Sequence, residues 1–392
     1  MTLIVLALTA LSLFWGGTAS AYPWMIRHPY SGCVPCHADP TGSGLLTPYG
    51  RALSEQVLRT RYGKVSPEDQ GELGQFMWNA VTLPDWLLMG ASFRNLVAGT
   101  VQPSPATAHF YQMQADAKAQ ITLSRFRASG TLGWVHEGGR TSAITHADTD
   151  NLVSREHWLG LDIGEDKEWL LRAGRLNLPF GVRQVEHTMW TRTSTRTDID
   201  STAQHGVALA YSGKPVRGEL MAILGNYQLN PDAYRERGYS AFGEWGITDQ
   251  FALGVSSLMT YAARDLNSGL ETLRQAHGVS VRWCPTELLV LMAEGDALIR
   301  LPKDLGTLVG YATFLQADIE PKQGFHVIVT GESRLDGALG TNPEFGGWFG
   351  LNWFFAPHFD VRADFIDRAT YDGVTQTYSN GITILGQMHM FL

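Results

Sequence analysis

From Trp86 onward, apolar and polar residues alternate with period two in segments of about ten residues, the repeated signature of amphipathic strands. Sixteen such segments lie near 86–100, 108–121, 125–137, 155–163, 168–176, 205–212, 217–227, 239–247, 250–261, 275–283, 286–298, 308–318, 323–333, 346–355, 358–367 and 381–392. The alternation is sharpest in Phe251, Leu253 and Val255, in Phe349, Leu351, Trp353 and Phe355, and in Ile382, Ile384, Met388, Met390 and Leu392. Between them stand Asn352, Thr383, Gln387 and His389, so each strand presents one apolar and one polar face.

The connections alternate as well. Tight ones span Thr122–Ser124, Gly164–Lys167, Gly213–Val216, Thr248–Asp249, Cys284–Pro285, Ile319–Lys322 and Ala356–Pro357. Long polar ones span Gly138–Ser154, Asn177–Gln204, Gln228–Gly238, Ala262–Arg274, Ile299–Thr307, Arg334–Phe345 and Arg368–Asn380. Short turns on one side and long loops on the other predict a mainly β chain, a transmembrane antiparallel β-barrel of about 16 strands over 84–392. A soluble sandwich or propeller also alternates, but it needs neither one-sided loop lengths nor so many aromatics on the apolar face. An even strand count puts both barrel ends on the periplasmic side, so a preceding module lies there or in the lumen. The last strand closes on Leu392, one residue past the aromatic Phe391.

The first 83 residues read differently. Leu3 to Trp15 is apolar but shorter than a membrane-spanning helix, and it leads into Thr18-Ala19-Ser20-Ala21. That pattern predicts a signal peptide over 1–21, although no Lys or Arg precedes the apolar run. Leu45 to Arg61 reads as a helix with Leu46, Leu53, Val57 and Leu58 as its apolar contacts, and a second helix is predicted to begin at Ser66. Leu83-Pro84-Asp85 then breaks the pattern, which leaves 22–83 as a small α-helical module.

Composition adds 42 Gly, 12 Trp, 13 Tyr and 17 Phe, suited to hairpins with aromatic girdles. Thirty basic against 38 acidic residues, with no long like-charge run, argue against a nucleic-acid partner. The module carries the chemistry, in Ser31-Gly32-Cys33-Val34-Pro35-Cys36-His37. Cys-x-x-Cys-His is the attachment motif of a c-type haem: two thiols one helical turn apart reach two vinyl groups, and the adjacent imidazole reaches iron. A redox Cys-x-x-Cys of the thioredoxin kind wants a βαβ context, absent here. A closed zinc site wants four ligands, and the only other cysteine, Cys284, stands far away before Pro285 and reads as an inert thiol.

With this motif behind an export signal and about sixteen strands behind that, the chain resembles the fused monohaem cytochrome–porins of bacterial outer membranes, whose best known members oxidise Fe(II) at the cell surface. The resemblance implies one covalent haem c on Cys33 and Cys36 with His37 as proximal iron ligand, in a module that plugs or docks in the lumen. It implies electron transfer between extracellular Fe(II) and a periplasmic electron-carrier protein, in outer-membrane lipid. A diffusion porin with a haem-containing plug, gate or sensor is the competing expectation, and peroxide or small-gas chemistry a third.

The sixth iron position discriminates them, since a six-coordinate haem transfers electrons and an open one binds small molecules. Met77, in helical spacing after the motif, and His187 are the leading distal candidates, followed by His28 and His205. The longest loop, Asn177–Gln204, is third on its side, where porins fold a constriction inward, and it holds Arg183, Glu186, His187, Arg192, Arg196, Asp198 and Asp200. Loop carboxylates such as Asp198, Asp200, Asp148 and Asp150 are the expected attractors of Fe(II), and a plain solvated loop is the alternative.

Overall fold

The computed structural model describes residues 22–28, 32–62, 73–101, 106–135, 151–199, 201–337 and 341–392. The predicted signal peptide, the helix at Ser66, and Asp148, Asp150 and Asp200 lie outside these residues.

The strands are β1 (Leu87–Val101), β2 (Thr107–Leu123), β3 (Phe126–Val135), β4 (Asn151–Val153), β5 (His157–Ile163) and β6 (Trp169–Leu176). They continue with β7 (Gln204–Ser212), β8 (Val216–Gly225), β9 (Arg237–Thr248), β10 (Phe251–Ala262), β11 (Thr272–Thr286) and β12 (Leu289–Pro302). The last are β13 (Leu308–Lys322), β14 (Phe325–Leu335), β15 (Glu344–Ala356), β16 (Phe359–Asp372) and β17 (Thr377–Phe391). Both β4 and β5 pair with β3, through Gly133 with Val153 and Gly130 with His157, so they are two pieces of one stave. Each stave pairs antiparallel with the next, and β1 returns to β17 from Ser92 with Phe391 to Val101 with Ile382. The result is a closed barrel of sixteen staves without an edge, as a membrane requires of backbone groups.

The exterior is apolar along its length. On β10, Leu253 and Val255 face out while Ala252 and Ser256 are buried within. Trp169, Trp245, Trp283 and Trp353 stand exposed near the short turns, and Phe110, Tyr261, Phe345 and Tyr378 near the long loops. Two aromatic belts flanking an apolar band are the marks of an outer-membrane barrel. Among the described residues no helix is long and apolar enough to cross a membrane, which says nothing of a barrel.

Two sequence expectations are corrected here. The connection read at Cys284–Pro285 lies three residues later: both residues belong to β11, the ladder is irregular between Trp283 and Thr286, and Glu287 and Leu288 form the turn. Pro285 is tolerated because an irregularity leaves its position outside the ladder. The helix read over Leu45 to Arg61 is α1 (Pro48–Leu53), which passes into a π-helical turn at Ser54–Leu58. Thr47 caps it, accepting from the Gly50 amide at 3.1 Å, and Pro48 suits the first helical position. Upstream, Leu46 is bridged to His37 and so is extended.

The lumen is filled from two sources. Residues 22–28 and 32–62 sit inside against the short-turn end, where the Thr60 amide donates to Phe354 at 2.8 Å and Arg282 donates to the Pro23 carbonyl at 3.1 Å. Gly324, at φ +78, supplies a left-handed turn on which this module rests: a Cβ there would stand 2.5 Å from the Thr60 nitrogen. From the opposite end, residues 177–199 and 201–203 fold inward around α2 (Trp190–Thr195), burying Leu178, Phe180, Val182, Met189 and Trp190.

Candidate cofactor site in the lumen

The Cys33–His37 segment forms one helical turn, with the Cys36 and His37 amides both donating to the Cys33 carbonyl at 3.1 and 3.0 Å. It is clamped against the strand-like segment before α1, since Ala38 donates to Leu45 at 2.9 Å and Thr47 to Cys36 at 3.0 Å. All three cysteines, Cys284 included, are buried and stand outside any disulfide.

The Asp39–Gly44 segment turns as its composition predicts. Thr41 donates to the Asp39 carboxylate at 2.7 Å and Gly42 to its carbonyl at 3.0 Å. That bend carries the Ser43 carbonyl to His37, whose Nδ1 donates to it at 3.2 Å. A carbonyl only accepts, so the proton of the neutral imidazole sits on Nδ1 and the Nε2 lone pair is left over. Nε2 is buried with no hydrogen-bond partner. Burial pushes the imidazole down to about 4, so it is neutral at neutral pH, and pushes the Cys36 thiol up to about 12, with Cys33 adding to it.

The turn is pinned to the wall by charge. Arg172 on β6 pairs with Asp39 at 2.9 Å and with Glu219 of β8 at 2.5 Å. Burial alone would raise the Asp39 carboxyl, but the Arg172 guanidinium overrides it and holds Asp39 well below the usual carboxylate range.

A cavity opens beside Cys36 and His37, lined by Leu46, Leu53 and Leu58 of the module, by Phe391 of β17 and by residues of β1 and β2. It holds about 1060 Å³ of space not taken by protein atoms, part of it open to solvent. Cys33 lines an adjoining cavity, and Arg183 lines both. Two thiols, an imidazole with its far nitrogen orphaned and its near one oriented by a carbonyl, and an apolar wall fit a covalently held haem.

The distal candidates are separated by the fold. His187 lines the cavity, its Nδ1 on Asp198 at 2.8 Å and its Nε2 facing the Arg94 guanidinium at 3.0 Å. Met77 does not: residues 77–79 have positive φ in a tight turn closed by Phe76 and Val81, the Met77 side chain is exposed, and helical spacing therefore misplaces it. His28 lies beside Glu320 at 4.0 Å, and His205 stands against His157 on the wall, with ring centroids 5.4 Å apart. Sequence reading missed Met25 and His389, both of which line the cavity. The strand alternation had put His389 on the inner face, which was the signal available for it.

Among the described residues the charges of the long loop are buried or half-buried rather than freely solvated. Glu186 pairs with Arg362 at 2.8 Å, Arg196 with Glu236 and Asp265 at 2.7 Å each, and Arg192 with Glu294. Asp198 is engaged by His187 and Ser201, and among the described residues no group of three or more His, Cys, Asp or Glu could hold a metal ion.

Neither a family profile nor a curated protein matches the sequence. By fold the chain is similar to outer-membrane porins. OmpT of Vibrio cholerae is 9% identical, with 80% of this chain and 100% of that one covered at a TM-score of 0.58. An anion-selective porin from Comamonas acidovorans is 10% identical, over 78% of this chain and 99% of that one, at 0.60. OmpF of Salmonella typhi, in complex with daunomycin, is 10% identical, over 79% and 98%, at 0.53. The chain is thus a porin-like β-barrel of the outer-membrane type, with a Cys-x-x-Cys-His module seated in its lumen.

Proposed function

We propose that the lumen module carries one covalent haem c and that the protein moves electrons across the outer membrane, from an extracellular donor, Fe(II) first among candidates, to a periplasmic electron-carrier protein. The observation that carries this reading is the buried, partnerless Nε2 of His37 beside Cys33 and Cys36. When bound, such a haem supplies a one-electron iron couple. Cys33 and Cys36 hold it through thioethers, His37 offers the Nε2 lone pair, and Ser43 fixes the ring that offers it. The Arg172 to Asp39 pair anchors the turn that carries Ser43 to the His37 ring. The short-turn end, against which the module sits, is the periplasmic side on this reading and faces the carrier.

Stopped-flow mixing of the oxidised protein with Fe(II), beside a His37→Ala variant, tests it. Rapid reduction of the wild-type haem supports electron transfer. Absence of reduction together with solute conductance in planar bilayers supports the second reading, a diffusion porin whose module is a plug or gate, which the likeness to porins favours. Loop carboxylates enter only as general attraction for Fe(II), since Asp198 is already committed to His187.

A further inference from the structure

The cavity beside His37 is electrostatically one-sided. Arg94, Lys118 and Arg183 line it, and no aspartate or glutamate does. Elsewhere in this lumen buried carboxylates face arginines: Glu219 faces Arg172, Glu244 faces Arg217 and Arg282, Glu294 faces Arg192, and Glu332 faces Arg368. Among the described residues the cavity cations have no such carboxylate partner in an ion pair.

Arg183 is the sharpest case. It comes from the inward loop and separates the Cys33 cavity from the His37 cavity. One of its terminal nitrogens donates to the Leu178 carbonyl, and the other, Nη1, is buried with no acceptor. The carboxylates that reach it electrostatically, Asp39 and Glu219, are both held by Arg172. Arg94 repeats the pattern on β1: Nη1 faces His187, and Nε is buried without a partner. A buried guanidinium lacking its counter-charge is strongly unfavourable, and its planar fork is shaped for carboxylate. The apolar part of the same lining is Leu46, Leu53, Leu58 and Phe391. The missing partner is therefore a ligand with an apolar body and carboxylates at one edge.

We infer that Arg183, with Arg94 and Lys118, is a carboxylate-recognition edge for the tetrapyrrole held at Cys33 and Cys36, pairing with its propionate groups. This rests on the haem reading above. It makes the inward loop part of the cofactor cradle, so that loop position and cofactor electrostatics are coupled through one side chain.

The test is a redox titration of the purified full-length protein in detergent, at one pH, for wild type, Arg183→Gln, Arg183→Lys and a Lys303→Gln control, with covalent haem measured by in-gel stain. Haem yield is expected to be equal in all four. The Arg183→Gln midpoint is expected to move negative by roughly tenfold in the one-electron equilibrium, about 59 mV. The loss of a cation disfavours the more negative reduced state, and Arg183→Lys recovers most of the shift. An unchanged midpoint in haem-loaded Arg183→Gln overturns the inference and leaves attachment standing. Wild-type protein without covalent haem removes the underlying reading instead. Should Arg183→Gln fail to fold, seen as loss of the heat-modifiable gel band, Arg94→Gln and Lys118→Gln carry the same titration, and unchanged midpoints in both overturn it.

Discussion

The barrel wall and the material inside it are held by opposite means. The wall's outer face is apolar and its contacts are backbone ladders, almost all between consecutive strands. Inside, the chain is joined by charge across long separations: Arg27 reaches Asp318 and Glu320, Arg172 reaches Asp39, and Arg362 reaches Glu186. A ladder tolerates substitution at any one rung, since its hydrogen bonds are made by the backbone. A buried ion pair does not, because removing one partner strands the other in a low-dielectric interior. Wall and lumen therefore answer mutation differently.

The largest separation is expected from Cys33→Ser combined with Cys36→Ser. Haem stain on a denaturing gel should vanish completely, while the unboiled barrel still migrates as a folded species. Covalent haem persisting in the double variant would end the attachment reading.

Next comes Arg172→Ala, which leaves Asp39 and Glu219 without their shared cation and should cost about 3–5 kcal/mol. Guanidinium unfolding monitored by tryptophan fluorescence measures it. The pH dependence has a defined sign: the Asp39 carboxyl is depressed in the fold, so its contribution is present above the unfolded value of about 3.9 and is lost as pH falls through the lower folded one. In the variant burial is uncompensated and raises the Asp39 carboxyl, so the gap between wild type and variant should begin to narrow above about pH 4 as the variant takes up its proton; a gap that holds its full size well below about pH 4 would contradict the pairing.

On the wall, Val255→Arg places a charge on the lipid face near the middle of β10 and should cost about 2–4 kcal/mol in lipid vesicles, with the haem stain unaffected. A variant as stable as wild type would mean that this face does not meet lipid. Smallest of all, Lys303→Ala removes an exposed pair with Glu271 and should leave the unfolding midpoint unchanged within error.

Legibility follows the same division. Period-two alternation located all sixteen staves, because a lipid-facing row must be apolar wherever the strand goes. It failed at Cys284 and Pro285, where an irregular ladder displaces the turn from the residues that resemble one. Cys33, Cys36 and His37 were legible because their spacing is local. Met25 and His389 come from opposite ends of the chain and meet only once the barrel closes, so no local signal assigned them to the cavity. Met77 shows the reverse: its spacing was helical, and three successive residues with positive φ turn it away.

What the sequence determined by itself was therefore everything with a short repeat: strands, the one-sided pattern of turns and loops, the outward face, and a thiol–thiol–imidazole motif in one turn. What only the tertiary structure decided was the interior: that residues 177–199 and 201–203 fold inward, that His37 Nε2 is left without a partner, and that three cations border its cavity with no aspartate or glutamate among the described residues lining it. The physical reason is range. Alternation and turn chemistry act between near neighbours in the chain, whereas a buried charge is satisfied by whichever group closure of the barrel brings beside it, at any distance in sequence.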